Sequence, residues 1–158
     1  MTHFFVYDVF TDQPFEGNQL AVIPDATKLP EADLQRIARE FNFSETTFVF
    51  PPTNPAMTAK VRIFTPTMEI PFAGHPTIGT ASALRDTGHE GDMVLELGIG
   101  PIPCTFAGNM ASSPHRPRLN VWRSPNPHWS RAVWGFNPNS YRYPVTHLYW
   151  PAWGCRSC

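Results

Sequence analysis

The chain of 158 residues has the length of one ordinary domain, and its net charge of −1 excludes a generally basic nucleic-acid-binding protein. Hydrophobic residues make up 42% and charged residues 16% of the chain, which excludes a polar disordered chain. No apolar run reaches the roughly 20 residues that cross a bilayer, and the first residues lack the basic and apolar regions of a signal peptide. We therefore expect a cytoplasmic globular protein without a membrane partner.

The predicted elements are short strands and two helices. Strands are predicted over 3–9, 20–23, 46–50, 59–64, 93–97 and 99–106, and helices over 30–42 and 74–84. The second helix is rich in Ala, Thr and Gly, so we expect it to pack tightly on all sides. Beyond residue 106 the periodicity fails, and proline-containing runs interrupt any longer element. The pattern predicts an α+β fold, with strands around at least one buried helix, followed by an irregular tail.

Charge is divided unevenly along the chain. Residues 1–103 contain all 13 acidic residues and 6 basic ones, whereas residues 104–158 contain six Arg and no acid. The second stretch also holds all 5 Trp and all 3 Cys. At average composition, so long a stretch without Asp or Glu arises roughly once in a thousand cases. We interpret residues 107–158 as a non-native, frame-shifted or disordered tail, in preference to a basic tail that binds an anionic partner.

The first candidate catalytic residue is Glu45, in the segment Phe41-Asn42-Phe43-Ser44-Glu45-Thr46-Thr47-Phe48. Its position at a junction of helix and strand, with phenylalanines nearby in the sequence, suggests a buried carboxylate. Burial disfavours the charged form of a carboxylate, which suits it to general acid-base catalysis near neutral pH. A solvated loop glutamate, or a cap supported by Ser44, is the alternative that the spacing alone favours.

The second candidate is the predicted helix start at Gly74, His75 and Pro76. Gly74 permits close approach of a ligand to the backbone, and free N–H groups at a helix start favour a carboxylate or phosphate. Thr80-Ala81 replaces the Lys-Ser/Thr of a nucleotide-binding loop, which argues against a nucleotide. A lone histidine without a second ligand at a useful spacing predicts no metal, and no cofactor is expected. A tightly packed helix that starts at a proline fits the pattern equally well.

Asn18 follows Gly17 in predicted turn chemistry. Its amide could face a site, but an asparagine in a turn more often serves the turn alone.

Four segments occur in an order and at a spacing that resemble the phenazine biosynthesis PhzF-like family. They are Tyr7-Asp8-Val9-Phe10-Thr11, Gly17 to Val22, Ser44 to Phe48, and Phe64 to Ala81. The resemblance covers about residues 3–106 and implies a diaminopimelate-epimerase-like fold, in which each of two similar halves wraps strands around a central helix. Residues 1–106 would then be the N-terminal lobe, and nothing after Phe106 is expected to match the family.

The same resemblance implies roles for individual residues. Glu45 would be the catalytic carboxylate that moves a proton within a small substrate, and Gly74 and His75 would face the carboxylate of that substrate. Asn18 and Ser44 would line or support the cleft. Because residues 1–103 contain no cysteine, the pair of thiols that related epimerases use is excluded for this half.

Three functions follow as expectations. The favoured one is an isomerase that moves a proton by a single carboxylate, incomplete and inactive alone because the second half of the site is missing. The alternative is a non-catalytic module that binds a carboxylate-bearing metabolite or dimerises, with a homodimer supplying the missing wall. The least favoured is binding of an anion or nucleic acid through the Arg-rich tail, where Arg116, Arg118, Arg123 and Arg131 lie near Trp122 and Trp129.

Overall fold

The computed structural model describes residues 2–11, 15–108, 110–113 and 143–148. Their elements, in chain order, are β1 (Phe5–Val9), β2 (Asn18–Ile23), α1 (Glu31–Phe41), β3 (Glu45–Phe50), β4 (Ala59–Phe64), β5 (Glu69–Ile70), α2 (Gly74–Asp86), β6 (Met93–Leu97), β7 (Gly100–Ala107), β8 (Met110–Ser112) and β9 (Tyr143–Leu148).

The described strands form one sheet in the order β3-β2-β1-β9-β8-β7-β6-β4-β5, and β3 also pairs with β4. This last pairing closes the sheet on itself, so that all of the strands except β5 form a ring. Most neighbours are antiparallel, whereas β2 with β3 and β4 with β6 are parallel. The fold class predicted from the sequence, strands around a central helix, is confirmed.

Helix α2 is the central helix, and every residue from His75 to Leu84 is buried. Small side chains allow this burial, because they let strands approach the helix axis closely. At Gly79 a Cβ atom would lie 2.9 Å from a methyl carbon of Val9 and would also overlap Leu20. The helix and the strands enclose one apolar core, to which β6 and β7 contribute Leu95 and Ile102.

Helix α1 packs on the outside of the sheet. Its buried residues Leu34 and Ala38 contact a second apolar cluster that includes Phe48 and Phe64, whose rings meet edge to face at 5.3 Å. The helix ends at Asn42, which adopts the left-handed conformation and donates its N–H to the Ala38 carbonyl. Neither α1 nor α2, the two helices among the described residues, has the length and apolar character needed to cross a membrane.

Regular structure continues into the stretch that the composition predicted to be irregular. Strand β7 extends to Ala107, β8 follows it, and β9 pairs antiparallel with both β1 and β8. The other residues of the predicted tail lie outside the described part of the chain, including the arginines and tryptophans of the proposed anion-binding tail.

Candidate active site

Glu45 and His75 meet where β3 and α2 both begin. The Oε2 atom of Glu45 lies 3.1 Å from Nε2 of His75. The Glu45 side chain is 16% exposed and the His75 side chain 10%, so the two polar groups are largely removed from water. The structure therefore brings together two of the residues that the sequence put forward separately, 30 positions apart.

The alternation of side chains along β3 explains why Glu45 points toward the central helix. Thr47 accepts a hydrogen bond of 2.9 Å from the Thr80 hydroxyl of α2, so its side chain lies on the inner face of the sheet. Successive side chains of a strand point to opposite faces, so Glu45, two residues earlier, shares this inner face. Phe48, on the outer face, packs in the cluster beneath α1.

The backbone carbonyl of Gln19 holds the His75 ring. His75 donates a hydrogen bond to this carbonyl, and because Nε2 has no hydrogen-bond partner within the described ranges, the donor is Nδ1. The Oε2 atom of Glu45 likewise has no hydrogen bond of suitable geometry to a described residue, although it is close to Nε2. Nε2 of neutral His75 and the carboxylate oxygen are then both acceptors, so the contact is favourable only when one of them carries a proton.

Burial is the main influence on the protonation of His75. It lowers the pKa of the imidazole below 6.5, against the opposing effects of the Glu45 charge and of the hydrogen bond to Gln19. The ring of Phe10 adds to this apolar setting, since it contacts the imidazole edge to face with 6.1 Å between ring centroids. Phe41 and Phe43, which flank Glu45 in sequence, instead stack on each other.

The first turn of α2 offers backbone donors beside this pair. Ala73 precedes the helix without a side-chain capping hydrogen bond, and the N–H groups of Gly74 and His75 have no acceptor within the helix. Gly74 is exposed, and no atom of the described residues lies within 4 Å of the position a Cβ would take. A ligand could therefore approach this backbone directly, as the glycine suggests.

Ser44 and Asn18 border the pair. Ser44 is exposed, and its hydroxyl lies 3.4 Å from the Gln19 carbonyl, the same oxygen that accepts from His75. Asn18 is exposed at the start of β2, next to Gln19. Sequence reasoning missed two contributors, the Gln19 carbonyl and the Phe10 ring. Both lie within the resembling segments, but a backbone atom leaves no trace in the side-chain chemistry of a sequence.

Cys104 lies in the core and away from solvent. It is fully buried on β7, and burial raises the pKa of its thiol to about 12, so it stays protonated near neutral pH. The composition assigned this cysteine to the tail stretch, whereas the structure places it in the folded lobe. Among the described residues, no group of three His, Cys, Asp or Glu side chains is arranged to hold a metal ion.

Strands closed around a buried helix, with a carboxylate and an imidazole at the start of that helix, define a protein of the diaminopimelate-epimerase-like fold class. A model of the phenazine biosynthesis-like protein family, PhzC-PhzF, matches residues 7–128, so the chain belongs to this family. The match extends past Phe106, the last residue at which the sequence resemblance was expected.

Relatives with assigned names agree with this membership. The chain is 51% identical over 108 residues to an uncharacterized isomerase of Mesorhizobium japonicum, an alignment that covers 66% of this chain and 36% of the relative. It is 49% identical over 102 residues to the trans-2,3-dihydro-3-hydroxyanthranilate isomerase of Pseudomonas fluorescens, covering 65% and 36%. The chain thus spans little more than a third of the length of these curated relatives.

A solved structure shows the same arrangement. The PhzF-family phenazine biosynthesis protein of Bacillus anthracis superposes with a TM-score of 0.65 at 34% identity, over 72% of this chain and 40% of that one.

Proposed function

We propose that this chain carries the acid-base part of a PhzF-like isomerase site, in which Glu45 moves a proton within a small carboxylate-bearing substrate. The observation that carries the proposal is the 3.1 Å approach of Glu45 Oε2 to His75 Nε2, two largely buried atoms to which no other described group is hydrogen-bonded. A named relative acts on trans-2,3-dihydro-3-hydroxyanthranilate, which supports a dihydroaromatic amino acid as the substrate class.

The chemistry needs one group that can hold a proton between two carbons. The Glu45 carboxylate takes a proton from one carbon of the substrate, and the electron pair of the broken C–H bond moves into the conjugated system. The carboxylic acid then returns the proton to another carbon, which restores Glu45. His75 Nε2, 3.1 Å from Oε2, lies where it can exchange a proton with Glu45 during this transfer.

The substrate carboxylate fits the first turn of α2. Free N–H groups at a helix start attract anions, and the open space beside Gly74 leaves room for one. This places the carboxylate beside His75, within reach of the Glu45–His75 pair.

Complete turnover, in this proposal, needs more of the family's length than the chain provides. The curated relatives are nearly three times as long as their matched parts. A cleft with one wall excludes water poorly and holds a substrate loosely, so we expect proton exchange without efficient isomerisation.

The test is hydrogen–deuterium exchange into trans-2,3-dihydro-3-hydroxyanthranilate in D2O, followed by mass spectrometry. We expect exchange above the buffer rate with the wild-type chain, its loss in Glu45→Gln, and no loss in Glu40→Gln, a matched change of an exposed glutamate on α1. Exchange that persists in Glu45→Gln would contradict the role of Glu45.

A non-catalytic binding or dimerising module is the second candidate. Phe15, close in sequence to the site residue Asn18, is 77% exposed, and such apolar surface favours association. A folded wild-type chain that binds the carboxylate substrate in a titration, yet exchanges no proton, would favour the module. Size-exclusion chromatography would then decide whether it dimerises.

Binding through the Arg-rich tail stays a prediction, since its arginines lie outside the described residues. It would be recognised by a steep loss of nucleic-acid affinity with added salt.

A further inference from the structure

Asp8 is a buried carboxylate that the proposed proton transfer does not use. It lies on β1 with none of its surface exposed. Its Oδ2 atom accepts a hydrogen bond of 2.7 Å from the backbone N–H of Phe15, whereas Oδ1 has no hydrogen-bond partner among the residues that the structure describes. Within the described part of the chain, no Lys, Arg or His side chain forms a salt bridge with it. Burying a carboxylate without a cation costs free energy, and the hydrogen bond from Phe15 offsets part of that cost.

That bond connects β1 to Phe15, from which Glu16 and Gly17 lead directly into β2. Phe10 and Phe15 have φ angles of +70° and +71°, a left-handed conformation that costs about 1 kcal/mol or more for a residue with a side chain. At Gly17 a Cβ would lie 2.7 Å from the Val9 carbonyl oxygen, so the chain returns tightly against β1. Such backbone persists only where neighbouring groups fix it, and the hydrogen bond that Asp8 accepts from the Phe15 N–H does so.

Two residues near Asp8 contact His75. Phe10 follows β1 and places its ring edge to face against the imidazole. Gln19, two residues after Gly17, supplies the carbonyl that accepts from the imidazole. Asp8 also pairs with Gln19 across β1 and β2, so it lies between the two contacts that orient the histidine.

We propose that Asp8 is a positioning residue for the Glu45–His75 pair, because it fixes Phe15 ahead of β2 and lies between Phe10 and Gln19, the two residues that contact His75. Asp8 touches neither Glu45 nor the substrate and transfers no proton. The proposal deepens the proposed function and rests on it for its catalytic meaning, whereas the geometry that it predicts is independent of any activity.

The experiment is NMR spectroscopy of the His75 imidazole in the substrate-free chain, compared between wild type, Asp8→Ala and Asp8→Asn. The matched control is Asp25→Ala, since Asp25 also accepts a backbone N–H bond, from Thr27 at 3.0 Å, but in an exposed turn. We expect the His75 ring signals to move in Asp8→Ala, to move less in Asp8→Asn, whose neutral oxygen is a weaker acceptor, and to stay in place in Asp25→Ala. The pKa of His75 should rise toward 6.5 in Asp8→Ala, because a loosened backbone at Phe15 admits water.

Unmoved His75 signals in a folded Asp8→Ala chain would overturn the proposal. If that variant does not fold, unmoved signals in the nearly isosteric Asp8→Asn would overturn it equally. Movement of the same size in Asp25→Ala would show a general loosening and would also overturn it. Because no substrate is present, a wild-type chain without proton exchange would defeat the proposed function and leave this test intact.

Discussion

The hydroxyl of Thr80 on the central helix donates a hydrogen bond of 2.9 Å to the hydroxyl of Thr47 on β3. Both side chains are buried. Thr47 lies two residues after Glu45 on the strand, and Thr80 lies five residues after His75 on the helix. The bond between them therefore helps to fix the distance between the two site residues.

Replacement of Thr47 by valine should destabilise the fold. The substitution keeps the shape of the side chain but leaves the buried Thr80 hydroxyl without its acceptor, which costs about 1–3 kcal/mol of unfolding free energy. Denaturant unfolding measures the change. Thr46→Val is the matched control, because the Thr46 hydroxyl is buried without a hydrogen-bond partner in the described part of the chain and its loss should be neutral or stabilising. Equal effects of the two substitutions would refute the role of the bond.

Alanine at position 79 should be harmful despite its better helix propensity. The added methyl group would lie 2.9 Å from a methyl carbon of Val9, so the core must move at a cost of about 1–3 kcal/mol. Gly74→Ala is the control in the same helix, since open space surrounds that position. Thermal unfolding of the two variants should separate them, and a Gly79→Ala chain as stable as Gly74→Ala would contradict the packing.

Stability should fall on mild acidification because of His75. Its folded pKa lies below the ordinary value of 6.5, so the unfolded chain binds a proton more readily. The contribution of His75 to the free energy of unfolding is therefore fully present above about pH 6.5. It is lost as the pH falls from there through the lower pKa of the folded state. Unfolding free energies measured from pH 8 to pH 5 should decline less in His75→Gln than in wild type. His89→Gln, a change of an exposed histidine, should follow the wild-type curve, and a His75→Gln chain that also does so would refute the prediction.

Arg62 should contribute more to stability than other arginines. Its guanidinium donates to Glu31 of α1 through Nη1 and Nη2 and to Glu69 of β5 through Nε and Nη2, and its side chain is 22% exposed. A network of this geometry is worth more than an isolated surface pair, and we expect Arg62→Leu to cost about 1 kcal/mol.

Arg36→Leu serves as the control for that change. Arg36 is 79% exposed and pairs with Asp33 three residues earlier, a type of pair that contributes a few tenths of a kcal/mol at most. Chemical denaturation at low and high salt compares the two. A smaller loss in Arg62→Leu than in Arg36→Leu would contradict the network.

Periodicity predicted most of the elements of the folded lobe, with bounds close to those observed. It failed for β5, which at two residues is too short to show a pattern, and for β8 and β9, which lie in a stretch of unusual composition. Strand β9 joins the sheet through its backbone ladder with β1, and backbone pairing places few demands on residue type.

The candidate site was predictable residue by residue but not as an arrangement. Glu45 and His75 could be put forward from helix-start chemistry and family resemblance. Their contact depends on the parallel register that sets Leu20 of β2 opposite Glu45, and on the depth at which α2 enters the ring. Neither quantity has a local signal in the sequence.

The hydrogen bond from His75 to the Gln19 carbonyl has a consequence for how the site can vary. The acceptor belongs to the main chain, so any residue at position 19 provides the same carbonyl. Replacing the side chain there would therefore not reveal the hydrogen bond. A slip of β2 by one residue, in contrast, would turn the carbonyl away and present the opposite edge of the strand. The register of β2 therefore determines which ring nitrogen of His75 faces Glu45. A backbone ester in place of the amide between Gln19 and Leu20 would weaken the carbonyl as an acceptor. It would perturb the orientation of the imidazole without changing any side chain.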